Sequence, residues 1–324
     1  MVVGLFIVEM PIAVILIAES VFVGVIALLR KIPYGQLQES MVSSVVAFIT
    51  PILMLLLIGA LVASWIIGGT VPTLIYIGLK IIDARFFLII TFLMCSLMSM
   101  LIGTSWGVIS TLGVAFAGIA GGLGIDPAYT VSAVASGAFV GDKMSPLSSS
   151  VALAAELTAV EPAKGIKSTV SANILPFIAA VALYIYLGLT TAPSGQAHTQ
   201  ETEALMEALA GEFNLGVLPL IAPVLLIFFM VIKVPTIPTF VLGIIIGVLE
   251  SVFVQGCDLK ALTEGLMSGY NMAGDPAINE LLHYGGVDSM ASTLILLLFA
   301  ACFGGIIKRL GIITCLLERV FRNT

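Results

Sequence analysis

A chain of 324 residues that is 60% hydrophobic and only 10% charged, with mean hydropathy +1.18, cannot hide its apolar surface in water, so lipid must solvate much of it. Its net charge of −6 leaves no basic footprint for nucleic acid. Four scattered cysteines (Cys95, Cys257, Cys302, Cys315) and two distant histidines (His198, His283) make neither a disulfide scaffold nor a zinc site, and no cofactor is expected.

Val2–Leu29 is too long for a signal-peptide core and lacks a basic leader, so it reads as a first membrane helix. Runs suited to spanning cover Met10–Leu29, Val45–Ile67, Phe86–Ile102, Thr169–Gly188, Gly216–Ile232, Pro238–Val254 and Met290–Ile307. Gly68–Pro72 breaks the pattern after the second run, and Gly103-Thr104-Ser105-Trp106-Gly107 breaks it after the third. Gly118–Gly124 reads as a glycine-rich loop, and Asp126-Pro127 as a helix start, with Asp as N-cap and Pro in the first turn. Residues 192–211 form a polar linker without Lys or Arg. The fold class is thus an all-α, multi-pass polytopic membrane protein with broken or re-entrant helices.

Basic residues suggest an orientation. Arg30-Lys31, Lys164, Lys167, Lys233 and Lys308-Arg309 read as cytoplasmic, and the acidic stretches 192–215 and 256–288 as external. The topology of residues 68–161 does not resolve this way. A weak repeat accompanies it: Met10-Pro11 leading to Leu37–Met41 resembles Val234-Pro235 leading to Leu262–Leu266, and Leu55–Ala60 resembles Leu296–Ala301, each pair opposed in direction. That is the pattern of an inverted-repeat secondary transporter. One transporter domain, 1–324, then holds a first repeat (1–190), a polar linker (191–215) and an incomplete second repeat (216–324). The identical pentapeptides Glu19–Val23 and Glu250–Val254 fall out of this register and read as coincidence. On this alignment the second repeat stops early, so a fragment, a truncated chain, or a site completed by a homo-oligomer or a complementing chain is expected.

Gly141-Asp142-Lys143-Met144-Ser145-Pro146-Leu147-Ser148-Ser149-Ser150 carries the densest chemistry. Charge and free backbone groups survive at membrane depth only against protein or a water-filled cavity. A carboxylate among hydroxyls suits a hard cation such as Na⁺, and a carboxylate out of water tends to take up a proton. Asp142 is therefore the expected Na⁺- and H⁺-binding acid, Ser145, Ser148 and Ser149 are candidate oxygen ligands, and Lys143 is its charge partner. The competing reading is a surface ion pair of Asp142 with Lys143, with serines capping the next helix. Thr104 and Ser105 are candidate ligands from an opposing break. Gly103–Gly107 also matches G-x-S-x-G, but the hydrolase elbow needs a strand–turn–helix setting and a His–acid pair, so the chain does not read as an enzyme. Glu19 is a possible intramembrane acid, and Asp83 with Arg85 reads as an interfacial pair.

Gly59-Ala60-Leu61 through Gly69–Thr73, Gly103–Gly107, Ser136–Ser148 and Gly285–Met290 together resemble the NhaC-type sodium/proton antiporter family of the ion transporter superfamily. The resemblance covers nearly the whole chain. It implies an exchanger of the prokaryotic cell inner membrane moving Na⁺ against H⁺, with relatives that exchange organic anions such as malate and lactate. This chain departs from the family pattern after Ser148: Ser149-Ser150-Val151-Ala152 replaces Asp-Thr-Thr-Asn, losing an acid and an amide. The family's C-terminal helices are not matched. A chain without transport of its own, acting as a partner subunit, is the remaining alternative.

Overall fold

The computed structural model describes residues 11–102, 105–145, 148, 162–191, 196–232, 234–271, 276–282 and 285–312. Among these residues there is no strand. Six helical segments are long and apolar enough to cross a membrane: Ile12–Leu29, Ile49–Ile67, Ser105–Gly122, Lys167–Thr191, Thr236–Phe253 and Asp288–Arg309. The protein is an all-α, multi-pass membrane protein.

The chain divides into two compact units, and each is described separately. The first holds residues up to Leu56 and from Ser289 onward. Its helices are α1 (Ile12–Leu29), α2 (Tyr34–Ala47), the first turns of α3 (Ile49–Ile67) and the last helix, Ala291–Arg309. Ala27, Leu37 and Ile306 form its small core. Gly305 lets the last helix approach the α2 backbone: a Cβ there would lie 2.6 Å from the Ser40 carbonyl oxygen. Large apolar side chains such as Val21 and Phe22 stay exposed on α1, as a lipid-facing surface requires.

The second unit, Leu57–Asp288, carries the remaining helices. These are α4 (Thr70–Ile81), α5 (Ala84–Ile102), α6 (Ser105–Gly122), α7 (Pro127–Met144), α8 (Pro162–Thr191), α9 (Gln196–Glu212), α10 (Ile221–Val231), α11 (Thr236–Phe253), α12 (Leu259–Ser268) and α13 (Pro276–Leu282). Ala291–Arg309 of the first unit is α14. The α3–α4 junction is the break expected from Gly68–Pro72: α3 stops at Ile67, Gly69 takes φ +81°, and α4 restarts at Thr70. Asp126 caps α7 as expected, its carboxylate accepting from the Ala128 N–H at 2.8 Å.

Three expectations change. Gly118 and Gly122 are not a loop but lie inside α6, because the absence of side chains there admits Ile75 and Leu79 of α4 into contact. The acidic segment 196–212 is a helix, α9, and buries Leu209. Asp83 does not pair with the Arg85 side chain; its carboxylate accepts the Arg85 backbone N–H at 2.9 Å, in the first turn of α5.

Candidate functional site

Helices α5, α6 and α7 fix the geometry around Asp142. A short turn, Leu123–Asp126, joins α6 to α7 and makes them antiparallel. Helices α5 and α7 run parallel, since Phe92 lies against Gly137 and Ser96, one turn on, against Gly141. Their backbones approach closely because α7 presents glycine twice, one turn apart. A Cβ on Gly137 would sit 2.5 Å from the Phe92 carbonyl oxygen, and one on Gly141 would collide with that of Ser96. A hydroxyl ties the seam. Ser99 donates to the Ala138 carbonyl at 2.6 Å, and Ser96 donates to its own helix at Phe92. Helix α8 joins α5 and α7: the Tyr184 ring packs on Phe92 at 5.2 Å between centroids, and its buried hydroxyl lies 2.8 Å from the Ser136 hydroxyl of α7.

This register places the sequence-predicted residues. Gly113 of α6 faces Val134 of α7, where a Cβ would be 3.1 Å from Val134 Cγ1. Eight residues back along α6 and eight onward along α7, roughly 12 Å at 1.5 Å per residue, bring Ser105 level with Asp142. The end of α5, the start of α6 and the end of α7 therefore lie at one level of the unit. Asp142 is the third-last residue of α7 and only 7% exposed. Beyond it the helix stops, because Ser145 is extended and precedes Pro146. The Ser145 N–H donates to the Asp142 carbonyl at 3.1 Å, and the Ser148 N–H reaches the Ser145 carbonyl at 3.4 Å. Ser105, Ser145 and Ser148 are all buried. Lys143 Nζ sits 3.4 Å from Asp142 Oδ2, and its side chain is 44% exposed. Asp142 is thus a buried acid touched from its rim by a half-exposed base, the ion pair with Lys143 that the sequence suggested. Thr104 and Ser149 lie outside the described residues. Glu19, half-buried on α1, belongs to the other compact unit.

The arrangement offers one carboxylate, buried hydroxyls and carbonyls at a helix end. Oxygen donors of that kind fit a small hard cation. Among the described residues no group of three His, Cys, Asp or Glu gathers, so nothing there resembles a transition-metal centre. Ser105 follows a helix and opens a helix, so the hydrolase elbow lacks its setting.

Sequence reasoning missed a second buried acid. Glu250, near the end of α11, is 6% exposed. Its Oε1 accepts the Ala222 N–H at 3.1 Å, and its Oε2 lies 2.9 Å from Thr70 Oγ1. Beside it Gln255 donates to the Gly68 carbonyl at 3.2 Å and accepts the Asn214 N–H at 2.9 Å, closing the α3–α4 break. Glu250 sits in the pentapeptide that read as coincidence; the available signal was an acid in an otherwise uncharged span, the same signal that flagged Glu19.

Segments that carry the family resemblance also meet in space. The Gly286 N–H donates to the Gly59 carbonyl at 2.9 Å, and a Cβ on Gly285 would strike the Ala63 nitrogen at 2.7 Å.

Comparison with known proteins identifies the family. The chain is 34% identical over 317 residues to the Na(+)/H(+) antiporter NhaC of Alkalihalophilus pseudofirmus, covering 97% of this chain and 67% of that one. It is 32% identical over 306 residues to the malate-2H(+)/Na(+)-lactate antiporter of Bacillus subtilis, covering 94% and 65%. It is 30% identical over 284 residues to the arginine/ornithine antiporter ArcD of Halobacterium salinarum, covering 87% and 58%. The chain thus spans about two thirds of the length of the first two relatives. No solved structure matches it. The family model described as Na+/H+ antiporter family matches residues 2–155 and 137–324, and the chain belongs to that family.

Proposed function

We propose that the protein exchanges Na⁺ for H⁺ across the membrane and that Asp142 carries both ions in alternation. The observation that carries this reading is the burial of Asp142 at the broken end of α7, level with the start of α6 and with buried Ser145 and Ser148 close in sequence. A carboxylate in that setting binds either a proton or a hard cation, and binding one excludes the other, which is the requirement for antiport. Ser105, Ser145 and Ser148 supply oxygen from the described residues, and Thr104 and Ser149 extend the candidate set. Lys143 stabilises the empty, ionised state from the rim. The same chemistry serves transport rather than bond cleavage, so we read the chain as a carrier and not an enzyme.

A second reading is Na⁺- and H⁺-coupled exchange of organic anions, favoured by the similarity to the malate-2H(+)/Na(+)-lactate antiporter. One assay separates the two. Proteoliposomes loaded at low pH are challenged with Na⁺, with and without malate and lactate. Na⁺ alone is expected to dissipate the pH gradient. Asp142→Asn, which keeps volume and hydrogen bonding but cannot titrate, is expected to abolish that flux while the protein stays folded. Flux at the wild-type rate in Asp142→Asn rules out Asp142 as the carrier, and flux that requires malate or lactate favours the second reading.

A further inference from the structure

Thr70 Oγ1 has one proton and two oxygen neighbours. It lies 2.8 Å from the Pro219 carbonyl oxygen and 2.9 Å from Glu250 Oε2. A carbonyl can only accept, and an ionised carboxylate can only accept. With Glu250 ionised, the Thr70 proton serves one neighbour, and the other contact sets two oxygen acceptors face to face in a buried place. With Glu250 protonated, every contact is a hydrogen bond. The carboxyl O–H donates to Thr70, Thr70 donates to Pro219, and the carboxyl Oε1 accepts the Ala222 N–H at 3.1 Å.

Among the described residues no cation lies against Glu250 to replace that proton, and no Lys, Arg or His pairs with it. The groups facing it are Gly68 from the end of α3, Thr70 from α4, Pro219 from the turn Leu218–Leu220 and Ala222 from α10, and none titrates. Helices α3 and α10 carry no charged residue, α11 carries Glu250 alone, and α12, which also packs on α11, carries Lys260 and Glu264, both exposed. On α4 the titratable groups are Tyr76 and Lys80, six and ten residues past Thr70, so Lys80 is roughly 15 Å away along the helix.

We propose that Glu250 is a second proton-binding carboxylate of this transporter, distinct from Asp142, and that its proton sets whether the start of α4 is tied to Pro219 ahead of α10. Loss of the proton turns Thr70 toward the carboxylate and releases Pro219. The residue that responds, Thr70, directly follows the Gly68–Gly69 break, so titration of Glu250 acts on one of the chain's helix breaks. This role in exchange rests on the antiport reading; the proton itself does not.

The test therefore has two arms. Infrared difference spectra of the purified protein are recorded through a pH titration for wild type, Glu250→Gln and Asp142→Asn. The carbonyl stretch of a protonated carboxyl is expected at neutral pH in wild type and Asp142→Asn, fading as pH rises, and is expected to be lost in Glu250→Gln. Gln reproduces the protonated pattern, its amide donating to Thr70 and its carbonyl accepting from Ala222, so Glu250→Gln is expected to keep wild-type thermal stability. Absence of a Glu250-dependent band, or a band that never titrates, overturns the proposal. In the second arm, Na⁺-driven proton flux is measured against pH in proteoliposomes. The pH dependence is expected to flatten in Glu250→Gln. A wild-type profile in that variant overturns the role in exchange, and absence of flux in wild type itself counts against the antiport reading and leaves the infrared result to decide the proton site.

Discussion

Substituting Gly137 by Ala should loosen the α5–α7 seam on which the position of Asp142 depends. The added Cβ would lie 2.5 Å from the Phe92 carbonyl oxygen and 3.1 Å from Cys95 Cβ, whereas ordinary contact begins at 3.4 Å. The first obstacle is main chain, inside a helix, and already accepts the Ser96 hydroxyl at 2.8 Å, so it cannot swing aside. The helices must part by about 0.9 Å at this level, from 2.5 Å to at least 3.4 Å. Overpacking of this kind costs about 1–3 kcal/mol. Against it stands the helix-propensity gain of Ala over Gly, about 1 kcal/mol. The net expectation is a loss of up to about 2 kcal/mol, with weaker ion exchange, because Gly141 beside Asp142 shares the seam. Gly304→Ala in α14 is the control: nothing lies within 4 Å of its Cβ, so only the propensity gain remains. Thermal unfolding in detergent and Na⁺-driven proton flux in liposomes are measured on both. Equal stability and equal flux in the two variants would refute the seam argument.

Gly69→Ala should cost about 1–2 kcal/mol, since φ there is +81°, and its Cβ would also displace Gln255; thermal unfolding with and without Gln255→Ala separates the backbone cost from the steric one. Asp126→Ala should lower stability by about 1 kcal/mol through loss of the α7 N-cap, whereas Asp126→Asn should retain most of it, as read by the same melting assay.

The elements most legible in the sequence were those set by local physics. Asp126-Pro127 announced a helix start because capping needs only residues two or three apart. The break at Gly68–Pro72 was visible because Gly69 can take the φ of +81° that ends a helix, and proline is tolerated in the first turn of the next one. Gly118–Gly124 misled for the complementary reason. In water a glycine run favours a loop, but in a packed membrane helix it admits a neighbour, and which applies depends on Ile75 and Leu79, some forty residues away in sequence. Likewise Asp142 stood out among serines, yet only the paired registers of α5, α6 and α7 put Ser105 at its level.

Glu250 was the least legible, although it is a charged residue in an apolar helix. Its sense lies in Thr70, 180 residues distant, and in Pro219 and Ala222 on elements no periodicity links to α11. Burial of a charge in a bilayer is costly unless polar partners are near, and unbroken helices spend their backbone groups on themselves. A chain so poor in charge can keep a buried acid only where a helix stops. Both buried acids among the described residues obey this. Asp142 lies at the broken end of α7, level with the α5–α6 junction, and Glu250 lies against the α3–α4 junction and the first turn of α10. The helix break is thus the feature to search for, and the acid beside it is the group we propose exchanges a proton.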